Sequence, residues 1–273
     1  MFTEEIVIEP GRSERKYFRD LWRFRELFYI LAWRDIVVRY KQTAIGVTWA
    51  LLKPALTMLV FVGFRKITGK TFAGIPDPIF VLAALLPWMF FSTALAEAAN
   101  SLVGNANLIS KVYFPRMIVP AGAVVTSLVD FLITLALLAV VLLRYQFLPG
   151  WQVVLLVPLV LLTFALSVGT GLLLASLNVK YRDFRYIVPF IVQFGVFLSP
   201  ICISAADVPT RWRFVYSLNP MTGIMDAFRW AICRGATPLD YTALLISAGM
   251  TLGFLMLGIW YFRRTEKGFA DMI

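Results

Sequence analysis

Long apolar runs alternate with short charged loops along the chain. Six of these runs are apolar enough for membrane-spanning helices, because about 20 residues at about 1.5 Å rise cross the hydrocarbon layer. None has the period-two alternation of a transmembrane strand. The pattern predicts an all-α integral membrane fold with one domain over residues 1–273. A cytoplasmic arm at 1–43 precedes the spans, and a cytoplasmic tail at 263–273 follows them. The six predicted spans are 44–64, 79–103, 117–143, 153–177, 187–203 and 242–262.

An amphipathic segment precedes the first span. Residues 17–28 form a helical pattern in which most charged side chains lie opposite the apolar ones, which are Phe18, Leu21, Trp22, Phe24 and Phe28. Such a helix lies in the membrane surface with its apolar side down. We therefore expect an interface helix within the arm.

The connection between the fifth and sixth runs is too apolar and aromatic for an ordinary solvated loop. Asn219 followed by Pro220 is typical of a helix start and predicts a helix over 220–234. That helix, about 22 Å long, is too short to cross the membrane. Asp207 and Pro209 open a shorter helix before it. We expect two re-entrant helices that enter the membrane and return; the alternative is an amphipathic cap on the outer leaflet.

Composition and loop charge predict the cytoplasmic membrane and an orientation in it. The chain is 60% hydrophobic and 15% charged, unlike a soluble protein. Of the 26 Lys and Arg residues, 17 lie in the arm, the tail and the loops after the second and fourth runs, and eight lie in the other loops. Because basic residues stay on the cytoplasmic side, both termini are predicted to be cytoplasmic. The net charge of +10 thus reflects topology and anionic lipid partners, not nucleic acid.

Patterns for catalysis or metal binding are scarce. The chain has no histidine, and Cys202 and Cys233 are too few for a metal cluster; two free thiols are favoured over a disulfide. We therefore expect no metal, no cofactor in this chain and no enzymatic activity. A membrane-embedded glycosyl transferase that uses Asp130, Asp183 or Asp226 is the weaker alternative.

Three ionisable residues lie inside the predicted spans, namely Lys53, Glu97 and Asp130. A charge at the centre of a span costs about 2.5–3.5 kcal/mol and usually faces protein or water. One interpretation is a polar lining or a gating pair along a path. The other is an interhelical hydrogen bond, or a salt bridge between Asp130 and Lys53.

Transport is the function class that remains. The sequence offers no energy source of its own, so we expect the energy to be supplied from outside the chain, at its cytosolic face. The stretch NANLISKVYFPRMIVP at 105–120 is a short, mostly apolar cytosolic projection between two spans. A helical turn there places Leu108 with Val112 and Ile109 with Tyr113, and Pro115 ends it. Such a projection suits docking into a groove of a partner protein.

Three stretches resemble the membrane subunits of type-2 ABC exporters, specifically the polysaccharide and teichoic-acid branch. They are RDIVVRYKQTAIGVTWALLKP at 34–54, NANLISKVYFPRMIVP at 105–120 and YRDFRYIVPF at 181–190. The resemblance implies a homodimer in which each copy pairs with a cytosolic nucleotide-binding subunit that binds ATP and Mg. It also implies a lipid-linked polysaccharide, such as an O antigen, that passes through a channel between the two copies. Lys53 departs from the family pattern, in which a neutral amide is expected.

The resemblance also implies roles for individual residues. The ATPase would contact the N-terminal interface helix and the loop after the second span, at Asn105, Asn107, Leu108, Ile109, Lys111, Val112, Tyr113 and Phe114. A second cytosolic loop contains Lys180, Tyr181, Arg182 and Asp183. The short helices after the fifth span would be external gate helices, with sugar-path candidates Trp212, Tyr216, Asn219, Pro220, Phe228 and Trp230. For the aromatic members an interfacial belt is the alternative. Teichoic acid, capsule and a small amphiphile or drug stay open as cargoes.

Overall fold

The computed structural model describes residues 14–41, 47–69, 74–201 and 208–272, and every regular element within these ranges is helical. The predicted all-α fold is therefore confirmed for this part of the chain. In chain order the helices are α1 (Glu14–Arg23), α2 (Arg25–Lys41), α3 (Val47–Thr68), α4 (Asp77–Gly104), α5 (Ala106–Lys111), α6 (Ile118–Arg144), α7 (Leu156–Lys180), α8 (Phe184–Gly195), α9 (Thr210–Ser217), α10 (Pro220–Ile232), α11 (Tyr241–Thr265) and α12 (Phe269–Met272). Short 3-10 helices precede α7 and follow α11, at Trp151–Leu155 and Glu266–Gly268.

Four of the described helices are long and apolar enough to cross a membrane. With their 3-10 extensions they are Asp77–Gly104, Ile118–Arg144, Trp151–Lys180 and Tyr241–Gly268. They coincide with the second, third, fourth and sixth predicted spans. The first predicted span coincides with α3, which is long enough but carries Lys53, Arg65 and Lys66.

The fifth predicted span, 187–203, is longer than the helix found in this region. The helix in this region, α8, has 12 residues, which is about 18 Å and less than the hydrocarbon thickness. It ends at Gly195, and turns follow as far as Ile201. Gly195 lies against the Trp88 ring, and Pro200 disfavours a helical conformation for the residue before it.

The amphipathic segment at 17–28 also differs from its prediction. The chain forms two helices there, α1 and α2, which meet at Phe24. Leu21, Phe24 and Phe28 pack against a buried cluster of the same chain, so that side of the segment is covered by protein. Trp22, predicted on the apolar side, is exposed instead.

Helix α4 forms the centre of the main core, and it packs against α6, α7, α10 and α3. It is apolar along most of its length, and most of its alanines, which include Ala94 and Ala98, are fully buried. A helix that is mostly apolar on every side is stable only when other helices or lipid surround it. This central helix therefore organises the elements that carry the candidate sites.

Two regions at opposite ends of α4 and α11 matter for function. At one end, α10 packs against the first turns of α4 and α11; we call this region the α10 pole. At the other end, α1, α5 and the tail after α11 share a buried cluster around Phe262 and Phe269; we call this region the α5 pole.

Candidate functional site

A half-open cavity of about 610 Å³ lies between α2, α3, α4 and α6. Most of its wall is apolar, and Trp49, Phe90 and Phe131 contribute to it. All three of the predicted intramembrane ionisable residues, Lys53, Glu97 and Asp130, also line it. Three charges predicted on three separate spans therefore face one space.

Arg39 of α2 connects the two carboxylates of this cavity. Its guanidinium pairs with Glu97 at 2.8 Å and with Asp130. The Tyr40 hydroxyl donates a hydrogen bond to the other carboxylate oxygen of Asp130. Asp130 is thus bonded to Arg39 and Tyr40 rather than to Lys53, which forms no ion pair among the described residues. The sequence did not single out Arg39, because charges surround α2 on all sides.

We predict that Arg39→Gln destabilises the protein by about 1–3 kcal/mol, because two carboxylates lose a charged hydrogen-bond partner. The matched control is Lys53→Gln at the same cavity, which should change stability little. The measurement is the temperature at which half of the detergent-purified protein is lost from the monodisperse size-exclusion peak. Equal midpoints for the two variants would contradict the bonding described here.

The predicted docking segment divides into buried and exposed residues. Helix α5 ends at Lys111 and Val112 is extended, so Ile109 and Tyr113 do not share one helical side. Ile109 and Phe114 are only 3% and 4% exposed and belong to the cluster of the α5 pole. Val112 and Tyr113 are 49% and 56% exposed.

The other docking candidates are more polar. Asn107 and Lys111 are exposed, and Leu108 is half-buried. The Asn105 side chain donates to the Ser101 carbonyl oxygen and accepts from Arg34, both at 2.9 Å. The surface available to a partner is therefore formed by Asn107, Lys111, Val112 and Tyr113.

The second predicted loop lies at the end of α7 and is exposed. Asn178, which precedes it, is buried and donates to the Ala99 carbonyl oxygen of α4 at 2.8 Å. This bond fixes the end of α7 beside the end of α4, the helix that leads into α5. The loop residues are all exposed: Lys180, Tyr181, Arg182 and Asp183.

At the α10 pole, the predicted helix signals are confirmed. The Asn219 side chain accepts a hydrogen bond from the Met221 backbone N–H at 3.0 Å, and α10 begins at Pro220. Arg234 and Gly235, just beyond the helix, have positive φ angles of 58° and 75°. Helix α9 forms before α10, whereas Asp207, predicted to open it, lies outside the described residues.

A buried ionic cluster holds α10 against the rest of the protein. Arg229 is fully buried, pairs with Asp226 at 2.9 Å and donates to the Ile201 carbonyl oxygen at 3.1 Å. Its guanidinium carbon lies 4.0 Å from the centre of the Phe80 ring, and that of Arg65 lies at the same distance from this ring. The cluster joins α3, α4, α10 and the segment after α8. The spacing of Asp226 and Arg229, three residues apart on one helix, is the signal that sequence reasoning could have used.

The sugar-path candidates differ in exposure. Phe228 is buried in the main core, so its ring is not available to a ligand. Trp212 is exposed. The others are half-buried: Tyr216, Asn219, Pro220 and Trp230.

Of the two cysteines, Cys233 lies among the described residues. Cys233 follows α10 and is a buried free thiol. Cys202 lies outside the described residues.

Long apolar helices around a central buried helix, with a charged cavity lined by several of them, define a multi-pass membrane protein. The chain belongs to the ABC-2 type transporter family, whose model matches residues 26–233. This membership confirms the resemblance of the three sequence stretches.

Similar proteins cover nearly the whole chain. The O-antigen export system permease protein RfbA of Myxococcus xanthus is 30% identical over 93% of this chain and 98% of its own length. An RfbA of Klebsiella pneumoniae is 24% identical over 91% of this chain and 95% of its own length. The polysialic acid transport protein KpsM of Escherichia coli is 23% identical over 86% of this chain and 91% of its own length.

Proposed function

We propose that this chain is the membrane subunit of an ATP-driven exporter that moves a lipid-linked polysaccharide of the O-antigen type across the cytoplasmic membrane. The observation that carries the proposal is the similarity to O-antigen permeases over nearly the full length of both chains. The similarity to polysialic acid transport proteins favours polysialic acid or a related polysaccharide as a second candidate cargo.

The proposed unit is a homodimer with six spans per copy and with both termini in the cytoplasm. In it, α3 and α8 serve as the first and fifth spans beside the four long apolar helices. Both carry exposed apolar side chains, including Leu56, Leu59, Phe190 and Phe194, which are available to a second copy. A charged helix and a short helix are tolerated in a membrane where protein or a water-filled path covers them. These features support a channel between the two copies.

The α5 pole is the proposed docking face for a cytosolic ATPase. Asn107, Lys111, Val112 and Tyr113 offer polar and apolar contacts on one projection, and the exposed loop after α7 lies at the same pole. A partner groove that accepts such a projection gains from apolar burial and from hydrogen bonds at its rim. The ATP and Mg that drive export bind to that partner.

The α10 pole is the proposed external gate. Helix α10 is buried along nearly its whole length between α4, α7 and α11. A short helix that enters a membrane needs this cover, because its end groups have no water to bond. This burial supports a re-entrant helix over an amphipathic cap. The exposed Trp212 on α9 is the ring best placed to meet a sugar.

We predict that the double variant Val112→Ala and Tyr113→Ala weakens ATPase binding about tenfold or more, because two exposed apolar contacts are removed. Ile109 is left unchanged, since its burial would confound docking with folding. The control is Tyr145→Ala, a comparably exposed tyrosine beyond the far end of α6. The measurement is the affinity of the detergent-purified variants for the purified ATPase. An unchanged affinity of the double variant would place the docking face elsewhere.

Co-purification tests the assembly directly. This chain and the ATPase that accompanies it should elute together with two copies of each. The chain alone, given a lipid-linked sugar donor, should transfer no sugar. Sugar transfer without the ATPase would support the transferase instead.

A further inference from the structure

The tail after α11 ties three elements of the α5 pole together. Oε1 of Glu266 accepts a hydrogen bond from the Tyr17 hydroxyl at 3.1 Å and another from the Arg116 backbone N–H at 2.9 Å. The Arg116 guanidinium donates in turn to the Glu266 backbone carbonyl oxygen. Burial, and then the Glu266 carboxylate, raise the pKa of the Tyr17 phenol, so its hydroxyl stays protonated and donates. One carboxylate oxygen therefore joins α1, the segment between α5 and α6, and the tail.

Further contacts attach α5 itself to this junction. Phe269 of the tail is fully buried, and its ring meets that of Phe262 edge-on at 5.3 Å. Ile109, the buried residue of α5, lies in the same cluster. The Arg263 guanidinium lies 4.7 Å from the centre of the Tyr17 ring. The underside of the docking helix therefore rests on the tail that α11 carries.

The opposite end of α11 is packed closely against α10. The Gly223 backbone N–H of α10 donates to the Ser247 hydroxyl of α11 at 3.2 Å. A Cβ on Gly223 would lie 2.5 Å from the Ala243 carbonyl oxygen, so the two backbones are in direct contact. With 25 residues, α11 is about 37 Å long, and it reaches from the docking helix to the proposed gate helix.

We infer that Glu266 is a positioning residue that fixes the docking helix α5 to α11, so that a displacement of α5 by the ATPase is passed along α11 to α10. The inference rests on the proposed docking of α5 against an ATPase. Without the carboxylate, the Tyr17 hydroxyl and the Arg116 N–H lose their common acceptor. The Arg116 guanidinium and the apolar contacts of Phe269 still hold the tail near α5. The junction loosens, however, so a smaller part of any displacement of α5 reaches α11.

The test uses the reconstituted complex of this chain with its ATPase. Glu266→Ala should lower the amount of lipid-linked polysaccharide exported per ATP hydrolysed about five- to tenfold, the size of a typical coupling between sites. Assembly with the ATPase should stay as in the wild type. Glu266→Gln keeps a side-chain oxygen that accepts both hydrogen bonds and should restore most of the ratio. The control is Lys267→Ala, at the exposed neighbouring residue, which should leave the ratio unchanged.

An unchanged ratio in an assembled Glu266→Ala complex overturns the inference and leaves the proposed function intact. If Glu266→Ala does not assemble, Tyr17→Phe decides, because it removes only the hydroxyl donor: a lowered ratio supports the inference and an unchanged ratio overturns it. A wild-type complex that hydrolyses ATP without exporting polysaccharide overturns the proposed function, and the inference with it.

Discussion

Gly258→Ala is expected to abolish the native packing of α11 on α7. A Cβ at Gly258 would overlap the carbonyl oxygen and the carbonyl carbon of Gly169, both of them backbone atoms that no rotamer change can move. The corresponding substitution on α7, Gly169→Ala, meets the same obstacle, because a Cβ at Gly169 would lie 2.6 Å from the Leu255 Cα. Inserting an extra methyl group into a well-packed core costs about 1–3 kcal/mol, and more where backbone atoms block the relaxation that would relieve the clash. We expect little or no monodisperse protein in a size-exclusion profile from detergent.

The same helix offers two matched controls. Gly249 and Gly253 have the spacing of a GxxxG helix-packing motif, yet a Cβ at either position meets open space within this chain. Gly249→Ala and Gly253→Ala should therefore leave the yield of monodisperse protein nearly unchanged. Equal losses in all three variants would show that α11 tolerates no added methyl group anywhere, and the close contact with α7 would not explain the effect.

Asp226→Leu is expected to cost about 3–5 kcal/mol of stability, because it leaves a buried guanidinium without its carboxylate. Arg229 is fully buried among α4, α10 and the segment after α8, so water cannot replace the lost partner. The exposed Arg211→Leu on α9 serves as the control for a charge change at the same pole. The measurement is the midpoint of thermal loss from the monodisperse peak.

A double variant separates charge from packing. Asp226→Leu combined with Arg229→Met removes both charges and keeps much of the buried volume, so it should recover most of the stability lost by Asp226→Leu alone. Equal destabilisation by the single and the double variant would show that the hydrogen bonds from Arg229 to the backbone, rather than the ion pair, dominate.

Hydropathy predicted the elements that are apolar over most of their length. The second, third, fourth and sixth spans are continuous runs, and a run of that kind has no other stable environment than lipid or other helices. The start of α10 was also predictable, because Asn219 and Pro220 act through bonds within one turn. The length of helix α8 was not, because the apolar run continues past Gly195, where the helix ends and where the residue lies against Trp88 of another helix.

For the candidate sites, the sequence predicted which residues matter and roughly where they lie, but not which residues contact each other. Glu97 and Asp130 were recognised as costly charges, but the residue that joins them, Arg39, lies 91 residues from Asp130 in the sequence. The docking stretch was recognised by its composition, yet its sequence did not show that Ile109 is buried while Tyr113 is exposed. Contacts between distant segments are set by packing and leave no periodic signal in either segment alone.

The most direct test of the account is export in vesicles. This chain and its ATPase are reconstituted with a lipid-linked polysaccharide on the side that the ATPase faces, and the polysaccharide that becomes accessible to an enzyme on the other side is measured with time. We predict transfer that requires this chain, the ATPase and hydrolysable ATP together. Transfer without the ATPase, or ATP hydrolysis that moves no polysaccharide in the complete system, would contradict the account.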